Sequence, residues 1–154
     1  MSNTRIRSLL GGLLYETHGG LTGKSLEDLY LRNADFVTAN LQGVRFDGAD
    51  LESASFYGSD LYWTGFFLAN LTNADFSLSV IRGCNFRKAN LSYARFDSSK
   101  LVRDNVGGFS DFRGADLRFA SFENTLIEAA IIDSSTKFSV EIERPELLGF
   151  QIKE

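Results

Sequence analysis

A large apolar residue returns at every fifth position from Phe36 to Leu101, and this spacing constrains the fold more than any other feature of the chain. From Ala34 the sequence divides into ADFVT, ANLQG, VRFDG, ADLES, ASFYG, SDLYW, TGFFL, ANLTN, ADFSL, SVIRG, CNFRK, ANLSY, ARFDS and SKLVR. The first position is always small: Ala, Val, Ser, Thr or Cys. The third is always Phe, Leu or Ile, the second is mostly Asp, Asn or Ser, and the last two are usually polar or Gly. A period of five fits neither a helix nor a flat strand. It suits a chain that turns a corner every five residues and sends its first and third side chains inward.

These units resemble the A(D/N)LXX repeat of the pentapeptide-repeat family over about residues 31 to 132, and most closely short bacterial members, cyanobacterial ones among them. The resemblance implies an all-β solenoid, a right-handed quadrilateral parallel β-helix with four units per coil. With 20 residues per coil, the central residues sort into four columns: Phe46, Phe66, Phe86; Leu31, Leu51, Leu71, Leu91; Phe36, Phe56, Phe76, Phe96; and Leu41, Leu61, Ile81, Leu101. Like residues then stack one coil apart, at the ~4.8 Å spacing of neighbouring strands.

The stretch LVRDNVGGFSDF, from Leu101 to Phe112, interrupts the period. A one-residue bulge would put Phe112 in a Leu column. A six-residue insertion places Phe112 on Phe86, Leu117 on Leu91, Phe122 on Phe96 and Ile127 on Leu101. An excursion near 102–109 is therefore expected, with Asp104, Asn105, Gly107 and Gly108 as turn formers. It either folds back onto the coil or offers a recognition tip on a rigid scaffold.

An open solenoid end must be capped. Residues 1–25 form an expected N-terminal capping segment, partly helical because Ile6, Leu9, Leu10 and Leu13 follow helical spacing, although Gly11 and Gly12 weaken it. Residues 26–138 form the β-helix. Residues 139–154 form the C-terminal cap, where Pro145 suits the first turn of a short helix carrying Leu147, Leu148 and Phe150. Resemblance to gyrase-protecting relatives, some of which pair through their C-termini, adds a homodimer as the alternative use of those apolar residues.

Few residues suggest chemistry. Gly19 to Ser25, GGLTGKS, lacks the first glycine of a phosphate-binding loop, since His18 stands at its place. His18 is the only histidine and Cys84 the only cysteine, so a histidine triad, a zinc cluster and an intrachain disulfide are not expected. Cys84 occupies a small inward position and reads as filler. Asp and Asn at second positions serve the corners. No enzyme, cofactor or metal site is expected, and no run approaches the ~18 apolar residues of a membrane span. A reducing, cytoplasmic setting and no membrane partner follow as expectations.

Outward aromatics mark the strongest candidate surface. Tyr57, Tyr62, Trp63 and Phe67 take fourth or fifth positions, and adjacent exposed aromatics often belong to partner sites. Trp63 shares a column with Gly43, Gly83 and Arg103, about two coils (~10 Å) from the start of the excursion. The candidate partner-binding residues are Tyr62, Trp63, Arg103, Asp104, Asn105 and Phe109, on a non-enzymatic scaffold that binds a protein. The resemblance supplies an alternative, a DNA mimic that binds or protects a type II topoisomerase such as gyrase. Net charge is -4, but acids dominate only from Glu27 to Asp60. From Arg82 to Arg103 a basic belt takes over, which opposes mimicry. The belt spreads over several faces, so no nucleic-acid groove is expected either.

Overall fold

The computed structural model describes residues 3–140, 142 and 145–154. The five-residue units close with a common turn, the unit before Cys84 excepted, where the Cys84 N–H donates to the Ser110 hydroxyl instead. The N–H at the first position donates to the carbonyl of the preceding central residue, as from Ala34 to Leu31 at 3.1 Å and from Ala39 to Phe36 at 3.0 Å. The fifth residue enters the left-handed region, with φ of 54° at Thr38, 58° at Ser53 and 57° at Lys88. Second-position Asp and Asn brace the corner by accepting from the N–H two residues on, as Asp75 does from Ser77 at 2.9 Å.

Four such corners close one coil, and the backbone then pairs with itself 20 residues later. Strands β3 (Asp60–Tyr62), β4 (Val80–Arg82) and β5 (Lys100–Val102) run parallel, with Leu61 facing Ile81 and Ile81 facing Leu101. β5 then pairs with β7 (Leu126–Ile127), and Leu101 faces Ile127 across the six additional residues. Beyond the excursion, β6 (Ser110–Asp111), β8 (Ala130–Ile132) and β9 (Gln151–Ile152) form a second parallel ladder. A further one-residue slip, which no column had signalled, makes Asp116 bridge Lys137. The Asp133 carboxylate absorbs it, accepting from the Gly114 N–H at 3.1 Å and the Ser135 N–H at 3.0 Å.

Inside, the Phe columns stack with neighbouring rings near parallel. Ring centroids are 5.4 Å apart for Phe46–Phe66, 4.9 Å for Phe66–Phe86 and 4.6 Å for Phe86–Phe112. The other column runs Phe36, Phe56, Phe76, Phe96, Phe122 at 4.8 to 5.2 Å. The two columns meet edge to face across the interior, with Phe66 and Phe76 at 5.8 Å and 89°. Both geometries suit the ring quadrupole. Small first-position residues fill the corners, and some of their hydroxyls donate inward, as from Ser79 to the Phe76 carbonyl at 2.6 Å and from Thr64 to the Leu41 carbonyl at 3.0 Å.

The N-terminal cap is a β-hairpin where helical spacing had suggested a helix. β1 (Asn3–Arg7) pairs antiparallel with β2 (Leu13–His18). Gly11 and Gly12 fall at the reversal, and a helix has no edge to offer the unpaired groups of the first coil. A strand does: Asp35 N–H donates to the Arg7 carbonyl and Leu9 N–H to the Asn33 carbonyl, both at 2.8 Å. Of the four residues with helical spacing only Ile6 is buried. At the other end Pro145–Leu148 form one 3₁₀ turn; the Leu147 side chain lies outside the described residues. Phe150 is the plug, edge-on to Phe112 at 5.8 Å, to Phe122 at 5.5 Å and to Phe138 at 5.6 Å.

Phe76 is fully buried and stacked on both sides. Phe76→Ala is expected to cost about 3–5 kcal/mol in a denaturant titration, because the regular backbone cannot collapse into the cavity.

Candidate functional site

The excursion after β5 is built around one carboxylate. Asp104 Oδ1 accepts from the N–H groups of Val106 at 2.9 Å and Gly108 at 2.6 Å. The Asp104 N–H donates to the Gly108 carbonyl, and the Gly107 N–H to the Asp104 carbonyl, each at 3.2 Å. The loop is therefore closed on itself before it touches the coil. Gly107 sits at φ 84°, a conformation open to glycine at little cost.

The second Asp104 oxygen grips the coil. Oδ2 accepts from the Trp63 indole N–H at 2.8 Å, across 41 residues of sequence. Tyr62 stacks on Trp63 with centroids 5.0 Å apart, and its hydroxyl donates to Asn105. Arg82 lies 5.6 Å from the Tyr62 ring centre. Between Trp63 and the loop lies Gly83. A Cβ added there would stand 2.5 Å from Trp63 Cδ1 and 2.9 Å from the Asp104 carboxylate, so the absence of a side chain is what lets the indole lie flat across the corner.

Of the residues singled out in the sequence, Tyr62, Trp63, Asp104 and Asn105 come together as one clasp. Arg103 and Phe109 form its other flank: the Arg103 guanidinium lies 4.3 Å from the Phe109 ring centre and donates to the Gly107 carbonyl at 3.1 Å. Lys153 covers the same ring at 4.2 Å. Its role had no sequence signal, because the slip at Asp133 hides the register of the C-terminal strand. Gly83 was legible as a column mate of Trp63. Val106, at the tip, is 76% exposed, and Trp63 keeps 51% of its surface open. The loop thus folds back through Asp104, Asn105 and Phe109 while projecting Val106.

Elsewhere several arginines pair with carboxylates. Arg113 binds Asp111 at 2.7 Å, Arg118 binds Asp116 at 2.6 Å, and Arg32 bridges Asp50 at 2.6 Å and Glu52 at 3.1 Å. Cys84 is buried and its thiol donates to the Leu61 carbonyl at 2.6 Å. Burial pushes that thiol up to about 12, which keeps it protonated and unreactive. Among the described residues no group of His, Cys, Asp and Glu could hold a metal ion, and no helix is long and apolar enough to cross a membrane.

The model of the pentapeptide repeats matches eight copies, over residues 21–64 and 66–103, more than half of the chain. The chain belongs to the pentapeptide-repeat family, and its fold is the family's right-handed quadrilateral β-helix. Among solved structures it is similar to a pentapeptide repeat protein from the thylakoid lumen of Arabidopsis thaliana, at 34% identity over 64% of this chain and 65% of that one, with a TM-score of 0.45. This chain therefore spans just under two thirds of that protein. Rfr23 from the cyanobacterium Cyanothece 51142 matches at 21% identity over 77% of this chain and 90% of its own, with a TM-score of 0.51. A trypsin-treated form of QnrB1, a plasmid-mediated fluoroquinolone resistance protein, matches at 21% identity over 80% of this chain and 69% of its own, also at 0.51. At such identity the last two likenesses are of fold alone. No curated protein sequence matches the chain.

Gly83→Ala is expected to cost about 1–3 kcal/mol, since φ is 64° and the clamped indole cannot move aside without releasing Asp104. Thermal melting of the variant measures it. Asp104 gives a pH-dependent counterpart. The Trp63 indole N–H first, then the Gly108 N–H, hold its carboxyl below the usual carboxylate range. A carboxyl depressed on folding contributes stability above its unfolded pKa of about 3.9, and that contribution fades as pH falls through the folded value. Trp63 is the only tryptophan, so its fluorescence should change in that acid window before global unfolding. The same transition persisting in Asp104→Asn would show that another group is responsible.

Proposed function

We propose that this pentapeptide-repeat chain is a non-enzymatic scaffold that binds a protein partner at the corner formed by Tyr62, Trp63 and the 102–109 loop. The observation that carries this reading is the Asp104 clasp. It fixes the loop to the coil through Trp63 and leaves Val106 projecting beside a half-open indole. A loop held in one conformation before contact loses little entropy on binding, which favours recognition by a small apolar anchor. Arg103, Phe109 and Lys153 give the anchor a cationic rim.

Imitation of DNA is less well supported. It asks for an unbroken acidic surface, whereas here Asp50, Asp111 and Asp116 each hold an arginine. Inhibition or protection of gyrase by micromolar protein in a supercoiling assay would reverse that preference.

The decisive comparison is affinity capture with the wild-type chain and with Val106→Asp. Val106 is exposed and outside the core, so the variant should melt as the wild type does. A partner retained by the wild type and lost by the variant supports the corner; identical partners for both would reject it.

A further inference from the structure

The N-terminal hairpin carries leucines where a turn has no use for them. Gly11 N–H donates to the Ser8 carbonyl at 2.7 Å and closes a β-turn whose central pair is Leu9 and Leu10. Such positions normally select Gly, Pro, Asn, Asp or Ser, which set the backbone and face water. Leu10 is instead 97% exposed, and Leu9 and Leu13 are each just over half exposed. Packing against the core falls to Ile6 on β1 and to Leu14 and Tyr15 further along β2. Ser8 bridges Ala34 antiparallel, so the tip runs beside the stretch that carries Tyr30, itself 83% exposed.

The tip satisfies much of its own backbone. Ser8 N–H reaches the Gly12 carbonyl at 2.7 Å, Gly12 N–H reaches the Ser8 hydroxyl oxygen at 3.1 Å, and the Arg7 guanidinium donates to the Gly11 carbonyl at 2.9 Å. Polar groups paired in this way can leave water without being orphaned, which is the condition for entering an apolar medium.

The size of the feature decides what that medium is. A stable protein interface buries about 800 Å² on each partner, and a convex tip of three leucines is far smaller. A bilayer surface makes no demand on shape; it takes leucines into the acyl boundary, tyrosine at headgroup level and an arginine against phosphate. We infer that the Leu9, Leu10 and Leu13 tip inserts reversibly into the surface of a lipid bilayer, with Arg7 at the level of the phosphates. This departs from the expectation that membranes play no part. It concerns a surface and not a span, and it is independent of the loop corner.

The test is flotation of the full chain with phosphatidylcholine vesicles and with vesicles that also contain phosphatidylglycerol, at low salt and at about 0.5 M salt, where exposed charges are screened. The protein is expected to float with both, and to keep floating with phosphatidylcholine in high salt, because insertion of apolar side chains drives the binding. Leu10→Ser should lower the partition by about tenfold or more while melting like the wild type, and the double variant Leu9→Ser, Leu13→Ser should repeat the loss. Val106→Asp should float as the wild type does, which keeps this proposal separate from the loop corner. No flotation with either lipid overturns the inference. So does binding confined to anionic vesicles and abolished by salt, or a Leu10→Ser variant that floats unchanged. Wild-type dimers that Leu10→Ser dissociates, in the absence of lipid binding, would assign the tip to a second copy instead.

Discussion

Everything in this molecule depends on like side chains stacking on like at one-coil spacing. A backbone ladder fixes the distance between coils near that of neighbouring strands, so an inward position meets its counterpart 20 residues away, or 26 across the insertion. Phe on Phe at 4.6 to 5.4 Å satisfies that distance with both faces of each ring in contact. Aliphatic residues meet that column only at its ends, where Leu26 faces Phe46 and Ile132 faces Phe112. The corners are subordinate to this stack. Residues as unsuited to positive φ as Leu68, Leu78 and Tyr93 accept it, because departing from the turn would take the next inward side chain out of its column.

That dependence explains how much of the structure is legible in the sequence. The columns alone locate the insertion after Leu101, since only six additional residues return Phe112 to Phe86 and Ile127 to Leu101. They reach no further than the repeat. The slip at Asp133 falls where the units have decayed to IIDSSTKF, and its one trace is that the core residues Ile132 and Phe138 stand six residues apart where five is the rule. The N-terminal segment misled for a related reason: the spacing of Ile6, Leu9, Leu10 and Leu13 is helical on paper. The open edge of the first coil recruits a strand instead, a tertiary demand that local periodicity does not carry. At the candidate site, the column shared by Trp63 and Gly83 was readable, whereas the reach of Asp104 over that glycine depends on loop geometry. Lys153 arrives from a strand whose register was not visible.

The loop corner shows how a repeat acquires individuality. A solenoid of identical coils has no unique place on its surface. Here a tryptophan at a corner, a glycine one coil above it and a six-residue insertion one coil above that coincide in a single column. Each is tolerable alone, and together they make a distinct feature. The cost of a bulky residue at positive φ is offset by the stacking of Tyr62 and the hydrogen bond to Asp104.

Phe150 bears on a hazard common to all solenoids. A screw of parallel coils could in principle continue from one molecule into the next, and a head-to-tail contact that does not close on itself grows into a filament. Phe150 lies edge-on to the rings beneath it, and the opposite end is sealed by an antiparallel hairpin. The two ends therefore share neither ring orientation nor strand direction. Translational symmetry stops at both ends of the coil.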